Sequence, residues 1–390
     1  MAVPKLRRTL ALTLALVMLV LAAGCSKEPA KTTEPAAPAA PKADTSDIII
    51  GSALPLTGSE AKMGTDMNNS IQMAIDEINA KGGVLGRKLK LEKQDDPCDA
   101  APAVAAANKL VSLNVVAAVS GYCSGSFLPT EKVYNDAKIG VIVPAANAVS
   151  LTQQKFNNIN LMNPTNQDQA KSAAAYFVDN WKAKKVAILH DNSAFAKELA
   201  ELTRDNLKGK AEVVAFEAVT KGEKDFSATL TALKGKAPDA IYWTGYYAEG
   251  GLIIKQARSL GITAKIMVGD GSNDPTLITT AGAAAAEGVA NSTTPSAKDF
   301  PNTKDWIPKY QAKYGEPGPY SAQAYDAVYI IAEAIKKAGA ADREKVMNEI
   351  RKIQYQGLTG KVSFNENGNR NDSYFLIQEV KGGKFEVVKK

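Results

Sequence analysis

The sequence predicts an α/β protein built as two doubly wound, parallel-sheet lobes. Three observations carry that prediction. From Asp47 onward, short β-rich runs alternate with helical stretches, and the alternation restarts after about residue 165. The 390 residues are enough for about two domains with a sizeable core. Hydrophobic residues make up 45% and charged residues 23%, which is ordinary for a soluble globular protein.

The first 24 residues read as a bacterial secretion signal. Lys5, Arg7 and Arg8 form a positive n-region, and residues 10–22 are apolar apart from Thr13. That run is too short, and too rich in small residues at its end, to be a membrane anchor helix. Ala23 and Gly24 precede Cys25, and "LAAGC" is similar to a lipobox, with Ala22 where leucine is most usual. Cys25 is therefore the expected lipidation site. Residues 25–46 follow as a tether rich in proline and alanine, with no large apolar residue from which to build a core. Removing Lys5, Arg7 and Arg8 takes the net charge from +6 to about +3. So mild a charge argues against a nucleic-acid partner, which needs a clustered basic face. The expected location is exported and lipid-anchored, in a periplasm or on the outer face of a cell membrane.

In the body, "DIIIGSALPL" is a buried strand running into a loop. Met67, Ile71, Ala74, Ile75 and Ile78 recur at helical spacing until "KGG" (81–83) stops the helix. "KLKLEKQD" alternates as a strand, "APAVAAANKLVSL" is a helix and "VVAAVSG" is a strand. "PTEKVYNDA" opens a helix with proline in its first turn, and "IGVIVPAA" is the next strand. In the second half, strands are expected at 185–191, 211–219, 239–246 and 264–270, separated by helical stretches such as 196–207. A long helix, "SAQAYDAVYIIAEAIKKAG", leads toward a hairpin over "GKVSFNENGNRNDSYFLIQEV".

Two readings compete at "GYCSGSF" (121–127). A cysteine between glycines after a strand has the form of a nucleophile elbow, and His190, the only histidine, stands at a strand end beside Asp191. A hydrolase, however, would place its histidine and acid late in the chain, and Cys98 is present to oxidise the thiol. Cys98 and Cys123 form an even pair in an oxidising compartment, where such pairs usually bond. No cofactor is implied. No metal cluster is evident, since "FNENGNRND" is explained by a polar hairpin turn and "GDGSND" lacks the Gly-Lys-Ser/Thr of a phosphate loop. A binding reading uses more of the residues. "CSGSF" offers N–H groups and the Ser124 hydroxyl to an anion, "PAANA" offers carbonyls and the Asn147 amide, and Asp270 ends a strand of the second half. One carboxylate facing neutral donors suits a ligand with both a cation and an anion.

The stretches "GSALPLTGSEAKMG", "AIDEINAKGG", "CSGSFLP", "GEKDFS", "YWTGYYAEGGLIIKQARSLG" and "GPYSAQAYDAVYIIAEAI" together resemble the periplasmic leucine/isoleucine/valine-binding proteins of branched-chain amino acid ABC transporters. The resemblance runs over nearly the whole body. It implies a type I periplasmic binding fold with a three-strand hinge, lobe 1 as 47–165 plus 293–368 and lobe 2 as 166–292 plus 369–390. It also implies no catalysis, a Cys98–Cys123 disulfide, an amino-acid ligand with the branched-chain type as first expectation, and delivery to a permease. A sensing subunit for a membrane receptor is the alternative within binding. By the same resemblance Ser124 holds the ligand carboxylate, the Ala145 carbonyl accepts from the ammonium with which Asp270 pairs, and Asn147 is a further ligand-binding residue. Tyr246 and Phe195 cover the ligand, while Met63, Tyr122 and Tyr320 line the side-chain pocket. Tyr122 replaces a smaller apolar residue, Asn147 a threonine, and Asp270 a longer glutamate. Zwitterion capture survives these changes, but they leave the ligand's side chain open.

Overall fold

The computed structural model describes residues 45–388; the expected export signal, the expected lipidation site Cys25 and the expected tether up to residue 44 lie outside the described residues. The first half forms β1 (Ile48–Leu54), β2 (Leu89–Asp95), β3 (Ala117–Ser120), β4 (Gly140–Val143) and β5 (Ile159–Leu161). They assemble as one parallel sheet in the order β2-β1-β3-β4-β5. Ile50 at its centre pairs with Leu91 on β2 and Ala117 on β3. Helices cover both faces, so successive side chains enter different cores: Ile142 packs with Ile71 of helix Ala61–Ala80, while Val141 and Val143 pack with Leu110 of helix Ala100–Ser112.

The second sheet begins with β6 (Lys185–His190), β7 (Glu212–Ala218), β8 (Ala240–Trp243), β9 (Lys265–Val268) and β10 (Ala290–Thr293). These strands are parallel in the order β10-β9-β8-β6-β7. A small antiparallel pair, β11 (Tyr355–Gly357) and β12 (Gly360–Val362), precedes β13 (Leu376–Lys381) and β14 (Lys384–Val387), which extend the second sheet beyond β10. The parallel α/β architecture expected from the alternation is thus present. The strands read from sequence in the second half are all found, each shorter by one to four residues.

The hairpin expected over 360–380 is not formed as such. β12 pairs with β11, and β13 pairs with β10 and β14. The segment between β12 and β13 crosses from one sheet to the other, so its two ends cannot pair. Only its polar turn is local: the Asn365 side chain accepts the N–H groups of Asn367 and Asn369, and Phe364 bridges Arg370. The true C-terminal hairpin turns at Gly382 and Gly383, both with positive φ, as a two-residue turn between right-twisted strands requires.

The chain passes between the sheets three times, after β5, after β10 and after β12. Asn163, Pro295 and Arg370, one from each crossing, line a common small space. Each sheet also has a point where its order reverses, between β1 and β3 and between β6 and β8. The loops leaving the carboxyl ends of strands at such points form the crevice in which open α/β sheets hold ligands.

Candidate functional site

The loops from the two switch points meet. β3 ends at Ser120, and Gly121 turns the chain with φ +98°; a Cβ there would press on the Phe127 ring at 2.9 Å. The turn delivers Tyr122 to the gap between the sheets, and the loop after β4 brings Ala145 and Asn147. From the second sheet come Phe195 after β6, Tyr246 after β8, and Asp270 with Gly271 after β9. Tyr320, at the start of helix Ser321–Ala338, closes the ring. Together they bound a small space, about 10 Å³ of enclosed cavity within about 210 Å³ of non-atom volume that includes open solvent. Seven of the nine ligand-binding residues expected from sequence therefore gather at one place.

The other two do not line it. Met63 is buried in the core on helix Ala61–Ala80. Ser124 is buried, and its hydroxyl accepts the Ala148 N–H at 3.3 Å. That bond leaves the hydroxyl proton of Ser124 without an acceptor among the described residues.

Asp270 is 2% exposed, and the Asn147 amide donates to its Oδ2 at 3.1 Å. Its Oδ1 is buried with no hydrogen-bond partner among the described residues. Burial pushes the carboxyl up to about 7, opposed first by the Gln169 side chain, then by the Asp270 and Gly271 N–H groups and the Asn147 amide, which lie near it although none meets hydrogen-bond geometry at Oδ1. The Tyr320 hydroxyl donates to the Asp270 carbonyl at 3.2 Å. The Ala145 carbonyl accepts from the Asn163 amide at 3.3 Å.

Two further features complete the site: Glu60, which the sequence did not single out, and Gly271, one of the glycines beside Asp270 that allow close approach. Glu60, in the loop after β1, accepts the Tyr122 hydroxyl at 2.8 Å; burial raises its carboxyl to about 7, and the Tyr122 bond opposes that rise. Gly271 lets two rings come close, since a Cβ there would lie 3.0 Å from Phe195 and 3.2 Å from Tyr246. An acid in "GSEAKMG" and a glycine beside Asp270 were the available signals, and neither names its partner across the fold.

Contacts flanking the space also join the two sheets' loops. Glu198, on helix Ala194–Leu207, accepts the Val149 N–H at 2.7 Å and the Ser150 N–H at 3.2 Å. Lys62 reaches Asp66 at 2.7 Å and Asp274 at 3.4 Å, and the Tyr247 hydroxyl donates to the Ser59 carbonyl.

The nucleophile reading of Cys123 ends here. Cys123 is bonded to Cys98, with Cα atoms 5.4 Å apart, and carries no thiol. His190 accepts the Asn192 N–H on Nδ1 at 3.1 Å and lies against Phe216, and burial holds it below its ordinary pKa. Among the described residues no helix is long and apolar enough to cross a membrane.

The sequence pattern of a family described as periplasmic binding protein matches residues 47–384. An amino acid binding protein of Pseudomonas aeruginosa is 34% identical over 336 residues, covering 85% of this chain and 90% of that protein. A Leu/Ile/Val-binding protein of Rhizobium johnstonii is 35% identical over 341 residues, covering 87% of this chain and 93% of that protein. Among solved structures, the branched-chain amino acid transporter substrate binding protein of Streptococcus pneumoniae, in complex with isoleucine, superposes with a TM-score of 0.80 at 32% identity, covering 88% of this chain and all (100%) of that one.

Proposed function

The chain belongs to the periplasmic binding protein family, and from that premise we propose that it captures a free α-amino acid between its two sheets and delivers it to an ABC permease. The observation that carries the reading is the unpartnered Oδ1 of Asp270 in the space between the sheets. A buried carboxylate without a counter-charge costs several kcal/mol. A ligand ammonium would meet that need, with the Asn147 amide holding the other oxygen in place. The carboxylate end goes to the Ser124 hydroxyl, whose own proton is unspent, and to neighbouring N–H groups. Each lobe, with the bounds expected from sequence, then holds one end of the zwitterion, so the ligand favours the closed arrangement over the open one.

The named relatives support the amino-acid class, and the exported, Cys25-anchored location fits delivery at a membrane. Calorimetry with free alanine, valine, leucine and isoleucine, each beside its desamino acid, tests the reading. Binding of at least one amino acid and not of its desamino partner is expected. Heat from none of the amino acids would sink it.

A further inference from the structure

Tyr122 has little freedom to move. Its hydroxyl is held by Glu60 at 2.8 Å, and its ring lies 6.0 Å from the rings of both Tyr246 and Tyr320. Tyr246 in turn tilts against Phe195 at 5.5 Å, and Gly271 permits that closeness. Four aromatic rings therefore close on the space between the sheets, and Ala145 is the one aliphatic side chain on its wall.

Leucine or methionine walls can fold aside for a larger guest, whereas a packed ring has only two side-chain torsions. A long or γ-branched ligand side chain would have to displace a ring. Moving Tyr122 would leave the buried Glu60 without its donor, a cost of the kind that makes unpaired buried acceptors rare.

We propose that this site takes α-amino acids with short side chains, of the size of alanine, serine or threonine, and turns away leucine and isoleucine, with Tyr122 braced by Glu60 as the residue that sets the limit. The proposal rests on the amino-acid reading above. It adds a size rule and names the residues that impose it.

The test is calorimetry of the full mature protein against alanine, serine, threonine, leucine and isoleucine, repeated with Tyr122→Leu. The wild type should bind at least one of the three short amino acids at least about tenfold tighter than leucine or isoleucine, the scale on which single methylenes are sorted in a tight pocket. Tyr122→Leu should invert that order. A wild type that binds leucine or isoleucine best overturns the size rule while leaving amino-acid capture standing. Failure to bind any amino acid removes the capture reading itself. An unchanged order in a folded Tyr122→Leu overturns the role of Tyr122, and if that variant does not fold, the wild-type order alone decides.

Discussion

Asp270 and Glu60 are both buried carboxyl groups beside the same space, and burial pushes both to about 7. Their partners separate them. Glu60 accepts a hydroxyl from Tyr122 and so braces a wall, while Asp270 keeps one oxygen without a partner. Equal burial and equal pKa direction thus accompany two different tasks. The partner, and not the shift, distinguishes the two carboxyl groups.

The largest expected effect follows from removing the unpaired charge. Asp270→Asn keeps the shape and should weaken amino-acid binding by roughly 2–5 kcal/mol, the usual cost of breaking a buried charge pair. Unchanged affinity in calorimetry would mean that no ammonium sits there, and the contrast with Glu60 would collapse. Ser124→Ala should cost less, about 1–3 kcal/mol, because neutral backbone donors remain for the carboxylate. A loss larger than that of Asp270→Asn would place the dominant charge contact on the first sheet instead.

Acidity sharpens the contrast. Ammonium binding requires an ionised Asp270, so below about pH 7 binding must expel a proton. Affinity should fall by up to about 1.4 kcal/mol for each pH unit below that value and level off above it until the ligand's own ammonium begins to lose its proton. The slope should vanish in Asp270→Asn and persist in Glu60→Gln. If Glu60→Gln abolishes it, the two acids have been assigned in reverse. In affinity itself Glu60→Gln should be the mildest change, about 1 kcal/mol or less for a short amino acid, because an amide oxygen still accepts the Tyr122 hydroxyl.

The parts legible in the sequence were those with local signatures. Buried runs such as β3 and β8 announce themselves by composition, and Tyr122, Asn147, Tyr246 and Asp270 reach the site because each follows a strand end. What lay beyond reach depended on partners distant along the chain. Glu60 meets Tyr122 across 62 residues, and β13 finds β10 rather than the nearer β12. No periodicity records such pairings. Ser124 is an intermediate case: its loop reaches the space, while its hydroxyl accepts the Ala148 N–H and the residue is not among those that bound the space.

Glu198 has a consequence for fidelity. Its carboxylate ties the helix after β6 to the N–H groups of Val149 and Ser150. It also accepts the Asn166 amide, which donates to the carbonyl of Phe195 on the wall of the ligand space. Such a clasp holds the shut form whether or not cargo is aboard. Each 1.4 kcal/mol it supplies multiplies the ratio of shut to open empty molecules tenfold. A receiver that recognises shape alone cannot distinguish a loaded molecule from an empty shut one. Under the proposed function the clasp would trade tighter capture against a background of false deliveries, and its strength would set how far the message rises above that noise.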